Sequence, residues 1–159
     1  MEEPHFTVLL VEDYEPFRRF VVTKLASQPK LRILSEVCDG AEAVEKAKEL
    51  QPDLILLDIG LPTVNGIEAA RQIQESSPKS KILFVSENRS SDITEEAFRA
   101  GGLGYVLKSD AEKDLMLAID AVLRGERFIS ATLASHFLVA TIVSAQTLSW
   151  ILTILTGIH

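Results

Sequence analysis

Residues 54–66 read LILLDIGLPTVNG, and the fold turns on them. A strand with one wet face alternates apolar and polar residues, whereas a strand covered on both faces reads as one apolar run. Leu54–Leu57 is such a run, so it predicts a central strand with helices on both sides. Asp58 stands where that strand ends. Pro62 fixes a turn after it, and Gly66 permits a tight helix entry. Asn65 is placed to cap a helix that carries Ile67, Ala70 and Ile73 on one side, and Pro78 closes it.

The same unit recurs in both directions. Upstream, Phe6–Val11 is a strand, followed by a helix with Phe17, Val21 and Leu25 on one face and a stop at Pro29. Leu31–Val37 is the next strand. Its helix carries Ala43, Val44, Ala47 and Leu50 and stops at Gln51-Pro52. Downstream, Lys81–Val85 is a strand, and Ser91 or Asp92 is placed to cap a helix with Ile93, Ala97 and Ala100. Gly101-Gly102 breaks the chain before a short strand, Tyr105–Leu107. Asp110 is placed to cap a fifth helix with Leu115, Ile119 and Val122, which ends near Gly125. Five strand–helix units predict an α/β fold: a doubly wound, five-stranded parallel sheet with helices on both faces.

In such a sheet, sites form outside the carboxyl ends of the strands. Glu12 and Asp13 follow the first strand, Asp58 ends the third, Ser86 follows the fourth and Lys108 the fifth. Taken singly, each has a plainer reading as a turn, a cap or a solvated end residue. Together they fall at the same edge of one fold. Three gathered carboxylates repel one another unless a cation offsets them, and a hard divalent ion such as Mg²⁺ suits oxygen ligands and phosphate. Lysine and a small hydroxyl supply donors to phosphoryl oxygens. That is equipment for attaching phosphate to a carboxylate, with Asp58 as nucleophile and Lys108 and Ser86 steadying the product.

The motifs VLLVEDYEPFR, DLILLDIGLPTVNGIEAARQI, KILFVSEN and GYVLKSD resemble those of bacterial two-component response-regulator receiver domains, from about Phe6 to Gly125. The resemblance implies a flavodoxin-like receiver, phosphorylated on Asp58 by a histidine kinase or phosphotransfer protein with Mg²⁺ as cofactor. It implies Asp13 as a direct metal ligand, Glu12 in the metal shell and the Gly60 carbonyl completing the protein ligands. It implies Lys108 on the phosphoryl oxygen, Ser86 as the switch hydroxyl and Tyr105 as the aromatic that moves with it. Pairing through the fourth helix, fifth strand and fifth helix would then change. Such a protein is a signalling switch that catalyses only its own phosphotransfer and dephosphorylation. Two alternatives are a phosphatase working through an aspartyl-phosphate and a degenerate receiver used only for contacts. Haloacid-dehalogenase-type phosphatases place a second Asp two residues after the nucleophile, where this chain has Gly60. The intact set of Glu12, Asp13, Asp58, Ser86 and Lys108 speaks against the degenerate receiver.

The 159 residues are 47% hydrophobic and 25% charged, with a net charge of −7. That is enough apolar material for a real core, and the acidic balance argues against a nucleic-acid surface over most of the chain. The single cysteine, Cys38, and an N-terminus unlike a secretory signal lead us to expect the cytoplasm, with Cys38 buried and inert.

Residues 1–125 are the expected receiver and 126–159 an apolar, helical extension. The extension begins within LRGERFISATLASHFL, residues 123–138, a stretch that resembles the receiver end and linker of NarL/FixJ-type transcription regulators. This tail is not expected to be a DNA-binding domain: the 32 residues after Arg127 contain no Asp, Glu, Lys or Arg. For Phe137–Ile158 three readings compete. The working expectation is a helix packed on the receiver or on a second copy, because apolar positions surround it. The others are a membrane anchor, for which its 22 residues suffice, and a truncated or frameshifted gene.

Overall fold

The structure, a computed structural model, describes residues 5–140 and 152–157, with the backbone alone for 136–140. The strands are β1 (Phe6–Val11), β2 (Leu31–Val37), β3 (Leu54–Leu57), β4 (Lys81–Ser86), β5 (Gly102–Leu107) and β6 (Phe128–Ile129). All pairings are parallel, in the order β2-β1-β3-β4-β5-β6. The helices are α1 (Glu15–Ala26), α2 (Gly40–Leu50), α3 (Gly66–Ser76), α4 (Ser91–Arg99), α5 (Ala111–Leu123) and α6 (Ala131–Ala140).

Alternation along the strands divides the core in two. Val8, Leu10, Leu54 and Leu56 pack with Val21 and Leu25 of α1 and Leu115, Ile119 and Val122 of α5. Leu9, Val11, Ile55 and Leu57 pack with Ala43 and Ala47 of α2, Ile67 and Ile73 of α3, and Ala97 of α4. Each large side chain so buried contributes about 1.5–3 kcal/mol before entropy. Both faces of β3 are covered, as its apolar run requires. The winding reverses at β1, which neighbours both β2 and β3, and a crevice opens there at the carboxyl ends.

The expected five-stranded sheet gains a sixth, two-residue strand. β6 pairs Gly104 with Phe128 and Tyr105 with Ile129. Ser130 follows it, fully buried; its N–H donates to the Tyr105 carbonyl at 3.1 Å and its Oγ accepts the Leu107 N–H at 3.1 Å. Leu133 and Ala134 of α6, and Ile154 beyond it, join the core cluster that holds Ala97 and Tyr105. Most of the anticipated Phe137–Ile158 helix lies outside the described residues. Among the described residues, no helix is long and apolar enough to cross a membrane.

Local details differ in four places. Asn65 caps α3 through the Glu68 N–H as expected, but α4 is capped by Ser90, one residue before the expected Ser91 or Asp92. Asp110 makes no side-chain cap bond, because a 3-10 turn, Lys108–Asp110, leads into α5. β5 starts at Gly102, three residues before Tyr105. Cys38 is exposed instead of buried, with Arg18 Nη1 3.4 Å from its sulfur; it lies just past the end of β2, where the chain leaves the sheet.

Candidate functional site

The ladder carries the acidic residues to one edge. The Glu12 N–H donates to the Val37 carbonyl at 3.0 Å and the Asp58 N–H to Val11 at 3.1 Å, so both stand one step beyond paired strands. One carboxylate oxygen each from Glu12, Asp13 and Asp58 lies within 4.8 Å of the others. Lys108 reaches them from the end of β5: Nζ is 2.6 Å from Glu12 Oε1 and 3.1 Å from Asp58 Oδ2. The second oxygens are also used, since Asp58 Oδ1 accepts the Ile59 N–H at 2.7 Å and Glu12 Oε2 the Tyr14 N–H at 3.0 Å.

Asp13, Asp58, Gly60, Ser86 and Lys108 line an open pocket of about 620 Å³, with Tyr14 and Asn88 at its wall. Glu12, 2% exposed, lies behind them. The loop after Asp58 is tight. A side chain at Gly66 would put its Cβ 1.9 Å from the Asp58 carbonyl oxygen, whereas one at Gly60 would meet nothing within 4 Å. Gly66 is therefore demanded by close backbone approach, and Gly60 offers its carbonyl without needing to be glycine.

Burial pushes the Glu12 carboxyl up to about 7; the Lys108 ammonium and the Tyr14 N–H oppose the rise, and the Asp58 charge adds to it. For Lys108, burial favours loss of the proton, but Glu12 and Asp58 together outweigh it and raise its pKa. A cluster of hard oxygen donors with a carboxyl held that high fits a small divalent cation, which would take up the negative charge that burial disfavours.

The neighbouring strands β4 and β5 bring Ser86 and Tyr105. Ser86 Oγ accepts the Asn88 N–H at 3.1 Å, and the Tyr105 hydroxyl donates to the Asn88 carbonyl at 2.8 Å. Tyr105 is fully buried, its ring centroid 6.3 Å from that of Phe84. Burial also raises the Tyr105 pKa.

All seven residues singled out in the sequence thus occur at this end of the sheet: six gather around the pocket, and Tyr105 lies beside it through Asn88. Sequence reasoning missed Asn88, which joins the serine to the tyrosine; its place two residues after Ser86 was a signal, but an Asn in a loop is common. It also missed Phe17, whose ring faces Lys108, because a helix residue with 3.6-residue spacing reads as core. Ser130 was missed as well, since nothing marks a serine after a two-residue strand.

Comparison with known proteins bears on this geometry. The response regulator receiver domain family matches residues 8–120. Response regulator GacA of Pseudomonas viridiflava is 32% identical over 129 residues, covering 81% of this chain and 60% of that protein. The nitrate/nitrite response regulator protein NarL of Escherichia coli K12 is 32% identical over 127 residues, 80% of this chain and 59% of that one. The chain thus spans about three fifths of the length of these curated relatives. Among solved structures, a two-component response regulator of the LuxR family from Aurantimonas sp. SI85-9A1 superposes with a TM-score of 0.82 at 30% identity, over 87% of this chain and 99% of that one.

Proposed function

This chain belongs to the response regulator receiver domain family, signalling proteins of two-component systems, and we propose that Asp58 is its phosphoacceptor. The observation that carries the reading is the meeting of three carboxylates within 4.8 Å of one another with the Lys108 ammonium 3.1 Å from Asp58, in an open pocket. Asp13, Asp58 and the Gly60 carbonyl would hold Mg²⁺, with Glu12 in its shell. When bound, Mg²⁺ offsets the carboxylate charge and stabilises negative charge on the transferring group.

The remaining work falls to side chains. A carboxylate oxygen of Asp58 attacks the phosphorus of a phosphohistidine on a kinase or phosphotransfer protein. The O–P bond forms as the P–N bond breaks, and the departing imidazole takes a proton from solvent. Lys108 donates to one phosphoryl oxygen and Ser86 to another. When Ser86 turns to the phosphoryl group it leaves the Asn88 N–H, and Tyr105, tied to the same residue, repacks. Hydrolysis of the acyl phosphate resets the switch, so the chain catalyses only its own phosphotransfer and dephosphorylation. A phosphatase reading lacks the second Asp, because Gly60 holds its position. The readout is a change in protein contacts, through α4, β5 and α5 or through the C-terminal segment, with homodimerisation as one form. Direct nucleic-acid binding and membrane contact are not part of this reading, and the cytoplasm is its compartment.

Incubation with Mg²⁺ and acetyl phosphate should add one phosphoryl group that mild base removes. Asp58→Asn should abolish the mass increase. Equal labelling of the Asn variant would remove Asp58 from the role.

A further inference from the structure

Phe17, on the first turn of α1, stands beside the pocket and bears on it through Lys108. The Lys108 Nζ stands over its ring, 4.9 Å from the centroid. The ammonium has three N–H bonds. Glu12 and Asp58 draw it at 2.6 and 3.1 Å, and the ring face gives it a third, uncharged neighbour. The Lys108 side chain is 10% exposed, and attraction between a cation and an aromatic face grows as the cation loses water. The ring is itself held in place. Pro16 precedes it at the start of the helix, and the Phe20 ring lies 5.5 Å away. With Leu10, Val21 and Leu57 it walls the small space behind Glu12 and Asp58.

We infer that Phe17 is a positioning residue whose ring face keeps the Lys108 ammonium aimed at Asp58 when the carboxylates turn to a cation. The oxygens of Glu12 and Asp58 cannot serve a divalent ion and the lysine equally, and two positive charges in one pocket repel. The ring is the one of these three neighbours that the cation does not compete for. This rests on the role proposed above for Lys108.

The test compares Phe17→Leu, which keeps apolar bulk without the ring, with Phe17→Tyr, which keeps the ring. Phosphorylation by acetyl phosphate at saturating Mg²⁺, Mg²⁺ affinity by calorimetry and the Lys108 ε-methylene proton shifts by NMR are measured for each. The Leu variant should be slower by roughly twofold to thirtyfold, the span from exposed to desolvated contacts of this kind. The Tyr variant should recover the parent rate, and Mg²⁺ affinity should be the same in all three. The ε-methylene protons should be shifted upfield by the ring in the parent and the Tyr variant, and not in the Leu variant. A Leu variant as fast as the parent, a Tyr variant as slow as Leu, or no ring-induced shift in the parent would overturn the inference. Lys108→Ala separates the two levels. If it is slow while Phe17→Leu is fast, only the inference fails; if it matches the parent, the role of Lys108 fails and takes the inference with it.

Discussion

The two halves of the pocket are built from opposite materials. At the ends of β1 and β3 stand three carboxylates facing one ammonium, a surplus of negative charge when all are ionised. At the ends of β4 and β5, a serine, a tyrosine and the Asn88 backbone satisfy one another without a charge. The first half holds an electrostatic imbalance that a cation and a phosphoryl group can relieve. The second holds none, so it moves only when Ser86 is drawn away. Substitutions at the charged half should therefore trade stability against metal binding and chemistry, and those at the neutral half should cost stability and, at Ser86 and Tyr105, the response to the phosphoryl group, without changing metal affinity.

The largest effect should come from the backbone beneath the charged half. Gly66→Ala forces a Cβ against the Asp58 carbonyl, with a backbone atom as the obstacle, and should cost about 3 kcal/mol or more. Gly60→Ala meets open space and should lie within about 0.5 kcal/mol of the parent. Thermal melts of the two variants check this; equal losses would show that the loop is slack.

Next comes the pH dependence of the charged half without metal. A carboxyl raised in the folded state holds its proton more tightly there than in the unfolded chain. Its stabilising contribution is therefore present at low pH and lost as pH rises from 4.5 to about 7. The loss should be at most about 3 kcal/mol. Urea titrations in chelator at several pH values should show the decline, and Glu12→Gln should flatten it. A profile that rises across that window would contradict the assignment.

The neutral half should give smaller effects. Ser130→Ala leaves the buried Leu107 N–H without its acceptor and should cost about 1–3 kcal/mol. Tyr105→Phe removes one hydrogen bond and should cost about 1 kcal/mol. Neither should alter Mg²⁺ affinity by calorimetry. A clear loss of affinity in either would show that the two halves are coupled before any phosphoryl group arrives.

What the sequence made legible follows the same division. Leu54–Leu57 announced a covered strand, and the strand ends then located Glu12, Asp13, Asp58 and Lys108, because each stands one or two steps past an apolar run. Asn88 acts through its own N–H and carbonyl, and Ser130 through backbone groups of Tyr105 and Leu107, distant in sequence; no side-chain pattern advertises either. Phe17 looked like core because half of it is: the ring packs by Phe20 and also faces a cation. β6 is two residues long, too short for any periodicity. The fifth helix ends near Gly125, and Ser130 and Leu133 beyond it also bond to and pack on the core.

The central claim is that relief of charge at one carboxylate drives the switch, and mapping the phosphoryl group tests it most directly. The chain is labelled with acetyl phosphate in Mg²⁺, digested at low pH and analysed peptide by peptide. The account predicts label only in the peptide containing Asp58, absent when Mg²⁺ is chelated and lost on brief exposure to base. Base-stable label on Ser86 or another hydroxyl, or equal labelling without the cation, would contradict it.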